Sequence, residues 1–498
     1  MNNKLKNLAG ETVLYGLGTI IPRALNFLLF PLHTRIFNPE DYGVVSYLYI
    51  LVGFLNVVYT FGMETAFFRF STKEGSDPNR IFNLCQSFIV GISLALSALF
   101  IVLAEPLAVA LGIAGKSHYI VWLAIIMLID AVVAIPFARL RLEKKALRFA
   151  LYKIVNVLVT VGLNIYFFMI AYWLVDFEIT FDFKRLAESI QQTNYGIEYV
   201  FLANLVANAF YLLFFIKSLI RWRPGYDRAT FSELLSYSFP IMLTGLAGMT
   251  NELFSRWAIE WWLPENFYDG KSSMYAIGIF SAAYKYAVLM SLGVQAFRFA
   301  AEPFFFSNAA DKKSPELFAK VNHFFIVSSC IVLLAVSLNM DVLKFIGGED
   351  FYEGLFVVPV LMGGYLFLGI YYNISIWFKL TDKTYFGTII TVAGAILTIG
   401  LNYFLIPVFG YVGSSWISLS CYAGMAVACY LIGQRHYPIP YSIRSGLMYI
   451  ILSAAIILFT QYINFDEYWK NKFIELILLV GFILSAFFIE KNKLLQSA

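Results

Sequence analysis

The sequence predicts an all-α, polytopic membrane protein with two pseudo-symmetric six-helix lobes and two additional C-terminal helices. Of its 498 residues, 60% are hydrophobic and only 14% are charged, whereas soluble domains carry roughly 25% charged residues. Apolar stretches of about 20 residues, the length that crosses a bilayer, recur along the whole chain. A motif that appears twice in the same register indicates that one half of the bundle duplicates the other.

The apolar stretches predict about 14 transmembrane helices when each is required to be long enough to span a bilayer. They are residues 10–33, 43–68, 81–104, 118–139, 150–172, 198–221, 232–262, 274–305, 317–339, 352–378, 384–406, 412–433, 443–463 and 471–489. The seventh and eighth stretches are longer than a bilayer requires, so we expect these helices to tilt or to extend beyond it.

The repeated motif defines the expected lobes. Leu142–Lys145 (LEKK) precedes Thr160–Asn164 (TVGLN), and Leu380–Lys383 (LTDK) precedes Thr398–Asn402 (TIGLN) at the same spacing. This period is longer than that of solenoid repeats. The copies are six predicted helices apart and therefore enter the membrane from the same side, as parallel transporter repeats do. We expect the N-terminal lobe at 1–222, the C-terminal lobe at 223–436 and the additional helices at 437–498.

Lysine and arginine are concentrated in alternate loops, which include residues 139–153 and 217–228. Because cytoplasmic loops carry an excess of basic residues, this bias predicts a multi-pass protein with both termini in the cytoplasm. The first apolar stretch contains Arg23 and continues past signal-peptide length, so we expect it to remain as a membrane helix. The net charge of +4 is small and dispersed, which predicts no nucleic-acid partner.

Basic residues inside the apolar stretches are candidates for binding an anionic substrate. Inserting a charged side chain at the bilayer centre costs about 2.5–3.5 kcal/mol, so such residues usually face water or a ligand. Arg23 and Lys285 have no acidic residue three or four positions away, and Arg256 joins them if its neighbouring glutamates do not neutralise it. The candidate substrate-binding residues are Arg23, Arg256, Lys285, Asn26 and Asn251. For the two asparagines, interhelical hydrogen bonding is the alternative role.

The remaining embedded charges are candidates for ion coupling or gating. Glu252, Arg256 and Glu260 recur at four-residue spacing, so the alternative is a structural ion-pair ladder on one helix face. Asp130 has no local partner, and packing against a polar group is the alternative to a proton relay. The complete set is Glu64, Arg69, Asp130, Glu252, Glu260, Arg298 and Glu302.

Two pairs in this set lie near the membrane interface. Glu64 precedes Arg69, and Arg298 precedes Glu302 by four residues. Long charged side chains near helix ends extend toward water, so we expect snorkelling or gating pairs at these positions. Asn164 and Asn402, which end the repeated motif, are expected to form hydrogen bonds that pack helices together.

The sequence contains no catalytic motif such as a P-loop, G-x-S-x-G or H-E-x-x-H. The spacing of its four cysteines and four histidines fits neither a zinc site nor a disulfide framework. We therefore expect a protein that is not an enzyme, with no catalytic residues, metal or cofactor. An H⁺ or Na⁺ gradient stays open as the energy source.

The N-terminal residues Leu8–Gly16 and Pro31–Gly43 resemble those of bacterial polysaccharide-biosynthesis (Wzx-type) flippases of the multidrug/oligosaccharidyl-lipid/polysaccharide exporter superfamily. Phe68–Phe70 at the end of the second helix and the two Gly-Leu-Asn motifs extend the resemblance over nearly the whole chain. The resemblance implies alternating-access transport of undecaprenyl-diphosphate-linked oligosaccharide across the inner (cytoplasmic) membrane. The product would enter assembly of O-antigen, capsule or exopolysaccharide.

The resemblance also implies the partners. They are the lipid-linked oligosaccharide, membrane lipid, and the polymerase and glycosyltransferases of the same pathway, and we expect a monomer. The related lipid II flippases carry basic residues in a central cavity, and Arg23 and Arg256 suit that pattern by position. In this interpretation Arg23, Arg256 and Lys285 hold the diphosphate.

The sequence leaves two alternative functions open. A multidrug/cation antiporter of the same superfamily favours an acidic, aromatic cavity, whereas the predicted helices here contain similar numbers of deep cations and acids. A membrane glycan polymerase or ligase uses a large catalytic outer loop, whereas the longest predicted outer loop, at about 173–197, is too short to fold as a domain.

Overall fold

The computed structural model describes residues 18, 20–170, 196–309, 311, 313–462 and 468–496. Within these ranges the chain is almost entirely helical and contains no strand. Eleven of the described helical segments are long and apolar enough to cross a membrane. The all-α, polytopic membrane fold is therefore confirmed, and the count of about 14 membrane helices stays a prediction.

The chain forms two compact units. The first comprises Met1–Trp261 with Tyr268–Gly278, and the second comprises Trp262–Phe267 with Ile279–Ala498. These units are defined by contacts, whereas the lobes at 1–222, 223–436 and 437–498 were defined by sequence symmetry. The lobe boundaries stay predictions.

The helices of the first unit begin close to the N-terminus and end with a long, proline-containing helix. They are α1 (20–27), α2 (Leu29–Ile36), α3 (Pro39–Thr60), α4 (Met63–Ser71), α5 (Pro78–Val102), α6 (Ala104–Ala110), α7 (Ser117–Leu142), α8 (Ala146–Ile165), α9 (Glu198–Arg221) and α10 (Arg228–Trp262). A π-helical turn, Tyr166–Ile170, continues α8. Helix α11 (Ser273–Asn308) contributes its first residues to this unit and the rest to the second.

The second unit continues from α11 to the C-terminal helices. Its further helices are α12 (Ser314–Ser337), α13 (Met340–Leu343), α14 (Val358–Ile374), α15 (Ile376–Leu380), α16 (Tyr385–His436), α17 (Ile443–Tyr462) and α18 (Tyr468–Gln496). Two 3₁₀ segments, Lys344–Ile346 and Glu349–Val357, lie between α13 and α14. Helix α16 contains a non-helical residue, Gly410 (φ 56°, ψ −140°), and is therefore two helices joined at a kink.

The start of α3 explains the Asn-Pro-Glu-Asp-Tyr-Gly sequence. The Asn38 side chain caps the helix by accepting a hydrogen bond from the Asp41 N–H at 2.8 Å. Pro39 occupies the first helical position, where its missing N–H has no intrahelical role. Glu40 and Asp41 place negative charge at the positive end of the helix dipole. Each residue of this motif before Tyr42 therefore favours a helix that begins at this point.

The glycine of the same motif allows two helix backbones to touch. A Cβ added to Gly43 in α3 would lie 1.9 Å from the Met274 carbonyl oxygen, and one added to Gly278 in α11 would lie 1.9 Å from the Pro39 carbonyl oxygen. Both contacts are within the first unit. Small residues at such crossings let membrane helices pack through their backbones.

The two repeated hinges adopt the same backbone geometry. Lys144 and Asp382 are both left-handed, with φ of 55° and 56°. The N–H of Lys145 donates to the Leu140 carbonyl, and the N–H of Lys383 donates to the Phe378 carbonyl, each at 2.8 Å. These are six-residue Schellman closures at the ends of α7 and α15. The matched geometry supports the duplication inferred from sequence.

The asparagines that end the repeated motif are also matched. Asn164 Nδ2 donates to the Thr160 carbonyl at 2.8 Å, and Asn402 Nδ2 donates to the Thr398 carbonyl at 2.7 Å. Asn164 Oδ1 lies 2.8 Å from His33 Nε2, which links α8 to α2. Asn402 Oδ1 accepts from Ser414 Oγ at 3.3 Å, across the kink at Gly410. The predicted packing role of these asparagines is confirmed.

The C-terminal helices contact α12 and its extension through polar pairs. Near one end of α18, Glu490 lies 3.0 Å from His323 of α12 and accepts a hydrogen bond from Tyr449 of α17 at 2.9 Å. Near the other end, Lys472 pairs with Asp341 of α13 at 2.6 Å. Glu490 is buried, so its carboxylate depends on these protein partners.

The glycine crossing generates a stability prediction. Gly43→Ala should destabilise the protein by about 1–3 kcal/mol. The added Cβ would overlap the Met274 carbonyl oxygen, and the α3 and α11 backbones must separate to relieve this overlap. Gly91→Ala in α5 is the matched control, because nothing lies within 4 Å of its added Cβ. Thermal unfolding in detergent should show a lower Tm for Gly43→Ala alone. Equal Tm values for the two variants would contradict the close crossing.

Candidate functional site

The first predicted cation lies on a short exposed helix. Residues 20–27 are helical, a turn at Leu28 follows, and α2 begins at Leu29. Arg23 and Asn26 are both exposed and are three residues apart, so they share one helix face. In an apolar segment, an exposed charged face is expected to meet water or a polar ligand rather than lipid tails.

Helix α10 places four predicted residues along its second half. Asn251 is buried, Glu252 is exposed, and Arg256 and Glu260 are partly buried. Glu260 accepts a hydrogen bond from the Ser273 hydroxyl at the start of α11, within the first unit. Glu260 therefore has a partner outside the four-residue ladder that the sequence suggested.

The expected pair between Glu64 and Arg69 was wrong. Glu64 of α4 pairs instead with Arg141 near the end of α7. The Arg69 guanidinium lies 4.4 Å from the centre of the Tyr237 ring in α10, a cation–π contact. The reason is helical geometry, because residues five apart do not share a helix face, whereas residues three or four apart do.

Arg69 lies at the edge of an open cavity in the first unit. The cavity has a volume of about 730 Å³, and its lining comes from the end of α4 and the start of α10. Lys73 and Glu233 also line it. Met63 and Phe67 of α4 pack in an apolar core with residues of α5 and α7, which holds α4 against these helices.

Asp130 belongs to a polar cluster formed by three helices of the first unit. Asn208 Nδ2 of α9 donates to Asp130 Oδ1 at 3.1 Å, and Asn156 Nδ2 of α8 donates to Asn208 Oδ1 at 2.9 Å. The Lys153 ammonium attracts the Asp130 carboxylate and lies 4.4 Å from the centre of the Phe137 ring. Asp130 has no partner nearby in the sequence because its partners, Asn208 and Lys153, lie on other helices.

In the second unit, Lys285 is partly buried in the middle of α11. Further along α11, Arg298 Nε lies 3.8 Å from Glu302 Oε2, which confirms the predicted contact. Glu302 makes a closer pair with Lys379 of α15, and the Arg298 guanidinium lies 4.4 Å from the centre of the Tyr372 ring. This cluster joins α11 to α14 and α15.

Sequence reasoning missed the residues that complete these clusters. They are Arg141, Lys153, Asn156, Asn208 and Lys379. The sequence contains one signal for the Asp130 cluster: Lys153 and Asn156 are three residues apart and therefore share a face of α8. Their pairing with Asp130 depends on how α7, α8 and α9 pack together, which a single sequence does not contain.

The described residues bring no group of three or more His, Cys, Asp or Glu side chains into an arrangement that could hold a metal ion. The candidate site consists of buried polar clusters and of exposed charged side chains within membrane-length helices. Such an arrangement, in a bundle of this kind, defines a multi-pass, all-α membrane protein.

Comparison with known proteins shows which helical folds the chain resembles. A family model described as "Polysaccharide biosynthesis protein" matches residues 32–178. The structure is similar to that of the lipid II flippase MurJ in an inward-closed conformation, with a TM-score of 0.71 and 16% identity, covering 97% of this chain and 100% of that one. A search of curated protein sequences found no match.

Multidrug exporters share the fold less closely. A MATE-family multidrug resistance transporter of the MOP superfamily matches with a TM-score of 0.63 in its inward-facing conformation, at 13% identity over 85% of this chain and 94% of that one. Its outward-facing conformation matches with a TM-score of 0.56. The predicted resemblance is confirmed at the level of the fold, because at these identities the solved structures show the fold alone.

The Glu64–Arg141 pair generates a prediction. Both side chains are about one-third exposed, so the pair should stabilise the protein by only about 1 kcal/mol or less. Glu64→Arg should lower the Tm by placing two guanidinium groups together, and the double variant Glu64→Arg/Arg141→Glu should restore it. Thermal unfolding in detergent measures both effects.

Arg69→Gln is the matched control for the charge exchange, because Arg69 is on the same helix and contacts the Tyr237 ring rather than Glu64. Combining it with Arg141→Glu should bring no recovery. The Tm of the double variant is compared with the Tm expected from adding the losses of the two single variants. If the double variant is no more stable than this sum, the Glu64–Arg141 pair does not form.

Proposed function

We propose that this protein is a flippase that moves an undecaprenyl-diphosphate-linked oligosaccharide from the inner to the outer leaflet of the cytoplasmic membrane. The product would supply surface polysaccharide assembly, such as O-antigen, capsule or exopolysaccharide. One observation carries the proposal: a polysaccharide-biosynthesis family model matches residues 32–178 of a chain whose fold is similar to that of a lipid II flippase along nearly its whole length.

The chemistry of the substrate fits the charges of this chain. A lipid diphosphate presents several anionic oxygens, which guanidinium groups bind through paired hydrogen bonds and ammonium groups bind as point charges. We assign the diphosphate contacts to Arg23, Arg256 and Lys285, with Asn26 and Asn251 as hydrogen-bonding neighbours. The exposed face shared by Arg23 and Asn26 supports this assignment.

Transport is proposed to follow alternating access, in which the head group binds from the cytoplasmic side and is released outside. We assign ion coupling, with H⁺ or Na⁺, to the Asp130 cluster, because a carboxylate that accepts from Asn208 inside the bilayer can bind a cation or a proton. Glu64, Arg69, Glu252, Glu260, Arg298 and Glu302 are proposed to contribute to coupling or gating. No cofactor is required by this mechanism.

The cellular setting follows from the same proposal. The protein would lie in the inner membrane with both termini in the cytoplasm, as the loop charges predict. It would act as a monomer beside the glycosyltransferases that build its substrate and the polymerase that uses its product. It would catalyse no covalent step, so no catalytic residue is assigned.

The second candidate function is a multidrug or cation antiporter. The observation that favours it is the similarity to the MATE-family transporter, at a TM-score of 0.63. A cation exporter would use acidic residues such as Glu252 and Asp130 for its substrate, and Arg23 would then have no role in binding.

A leaflet assay tests the flippase proposal. In a strain that lacks the gene, lipid-linked oligosaccharide should accumulate in the inner leaflet, where a membrane-impermeant lectin cannot label it. The wild-type gene should restore labelling in spheroplasts, Arg23→Ala should not, and Arg23→Lys should restore it in part because the positive charge is retained.

Arg80→Ala is the matched control for this assay. Arg80 is an exposed cation in the first turn of α5, where it is paired with Asp227 at 2.8 Å, and its loss should leave labelling unchanged. Normal labelling without the gene, combined with increased drug sensitivity, would overturn the flippase and favour the antiporter. Full activity of Arg23→Ala at normal expression would overturn only the diphosphate assignment.

The coupling assignment generates a separate prediction. Asp130→Asn keeps an acceptor for Asn208 but removes the charge that binds an ion. An imposed ion gradient should accelerate transport by wild-type protein in vesicles and should not accelerate the variant, because the variant lacks the charge that binds the ion. Asp227→Asn, which alters a surface carboxylate, should behave as wild type. Unchanged gradient dependence in Asp130→Asn would place coupling elsewhere.

A further inference from the structure

The first unit contains a basic cavity that none of the proposed transport residues lines. Its volume is about 750 Å³, and it lies between the starts of α5 and α8 and the ends of α7 and α9. Six basic side chains line it, those of Arg139, Lys145, Arg148, Lys217, Arg221 and Arg223. Positive charge from several helices is therefore collected in one concave site.

The negative charge of the cavity lining is already paired with basic side chains of the same lining. Glu143, the one carboxylate among the described lining residues, accepts from Arg139 Nε at 2.7 Å and from Lys145 Nζ at 2.5 Å. Partial burial acts to raise the pKa of the Glu143 carboxyl, but these two hydrogen bonds outweigh it and hold the pKa below its ordinary value. Glu143 is therefore ionised and shared by two cations, and the others are left uncompensated.

Three of the lining cations are available to a ligand. Arg148, Lys217 and Arg221 are exposed and form neither a hydrogen bond nor an ion pair with any residue that the structure describes. Helix α8 begins beside them at Ala146 without a side-chain cap. Its first-turn N–H groups add positive potential to the same site.

The other side of the cavity is apolar. The Tyr152 and Phe214 rings stack with their centres 4.6 Å apart. Leu213 and Ile216 line the cavity and are 62% and 48% exposed, on a face of α9 that is expected to meet lipid. Leu213 and Arg221 are about 12 Å apart along α9, at 1.5 Å per residue. A ligand that spans this distance needs an anionic end and an apolar end.

We propose that this cavity binds the phosphate headgroup of an anionic phospholipid, with the acyl chains lying along the exposed apolar face of α9. Basic pockets between membrane helices bind such headgroups in other membrane proteins. A general excess of basic residues in loops accounts for positive charge at this end of the helices, but not for its concentration around a cavity with an apolar wall. The proposal does not depend on the transported substrate.

The test measures binding of fluorescent phosphatidylglycerol to the full-length protein in detergent micelles at low salt. Neutralising one cation should weaken binding about fivefold, so Arg148→Gln/Lys217→Gln/Arg221→Gln should weaken it about 100-fold. Arg228→Gln/Lys313→Gln/Lys320→Gln is the matched control. It removes the same charge from exposed residues that do not line the cavity, and it should retain wild-type binding.

A second measurement uses wild-type protein and so does not depend on how well the variants fold. Photoactivatable phosphatidylglycerol should cross-link to peptides of α8 and α9, and phosphatidylcholine should not compete. Cross-linking elsewhere, equal weakening in both triple variants, or equal binding of phosphatidylcholine would overturn the proposal. Displacement of the probe by inorganic diphosphate as readily as by phosphatidylglycerol would overturn the lipid assignment and leave a site for free phosphate compounds.

Discussion

The absence of water in the bilayer core is the constraint on which the rest of this structure depends. A polar group that is buried there must find its partner within the protein. Asn164 is completely buried and is satisfied by a backbone carbonyl of its own helix and by His33. Asp130 is satisfied by Asn208, which is in turn satisfied by Asn156. These hydrogen bonds determine which helices are neighbours more specifically than apolar contacts do, because lipid tails are as apolar as the side chains.

The features that the sequence predicted well are those determined within one helix or one hinge. The repeated hinge was recognisable because its charged residues end one helix and begin the next, and Lys144 and Asp382 indeed have the same backbone conformation. Arg298 and Glu302 meet because four-residue spacing brings side chains together on any helix. The number of membrane helices was harder to predict than these local features. Helix α16 is two helices that meet at the Gly410 kink without a loop between them, and α10 is not among the described helices that qualify by apolar length.

The features that the sequence could not predict are contacts between helices. Glu64 was matched with Arg69 because they are close in the chain, whereas its partner Arg141 belongs to another helix. The same limit applies to Asp130 and to Lys379. The duplication does not predict these contacts, because the two copies have diverged in sequence. In the register of the hinge motif, Leu368 and Gly394 stand where the first copy has Asp130 and Asn156. The buried polar cluster is thus a property of the first copy.

The polar pairs of the C-terminal helices also constrain movement. Lys472 and Glu490 are about 27 Å apart along α18 at 1.5 Å per residue, close to the thickness of a bilayer core of about 30 Å. Their partners, Asp341 and His323, are separated by the same number of residues in the opposite direction. A slide of α18 by one turn, about 5.4 Å, would break both pairs at once and leave the buried Glu490 unsatisfied. Helix α18 therefore has one axial position against α12, and it must be carried along whenever α12 moves.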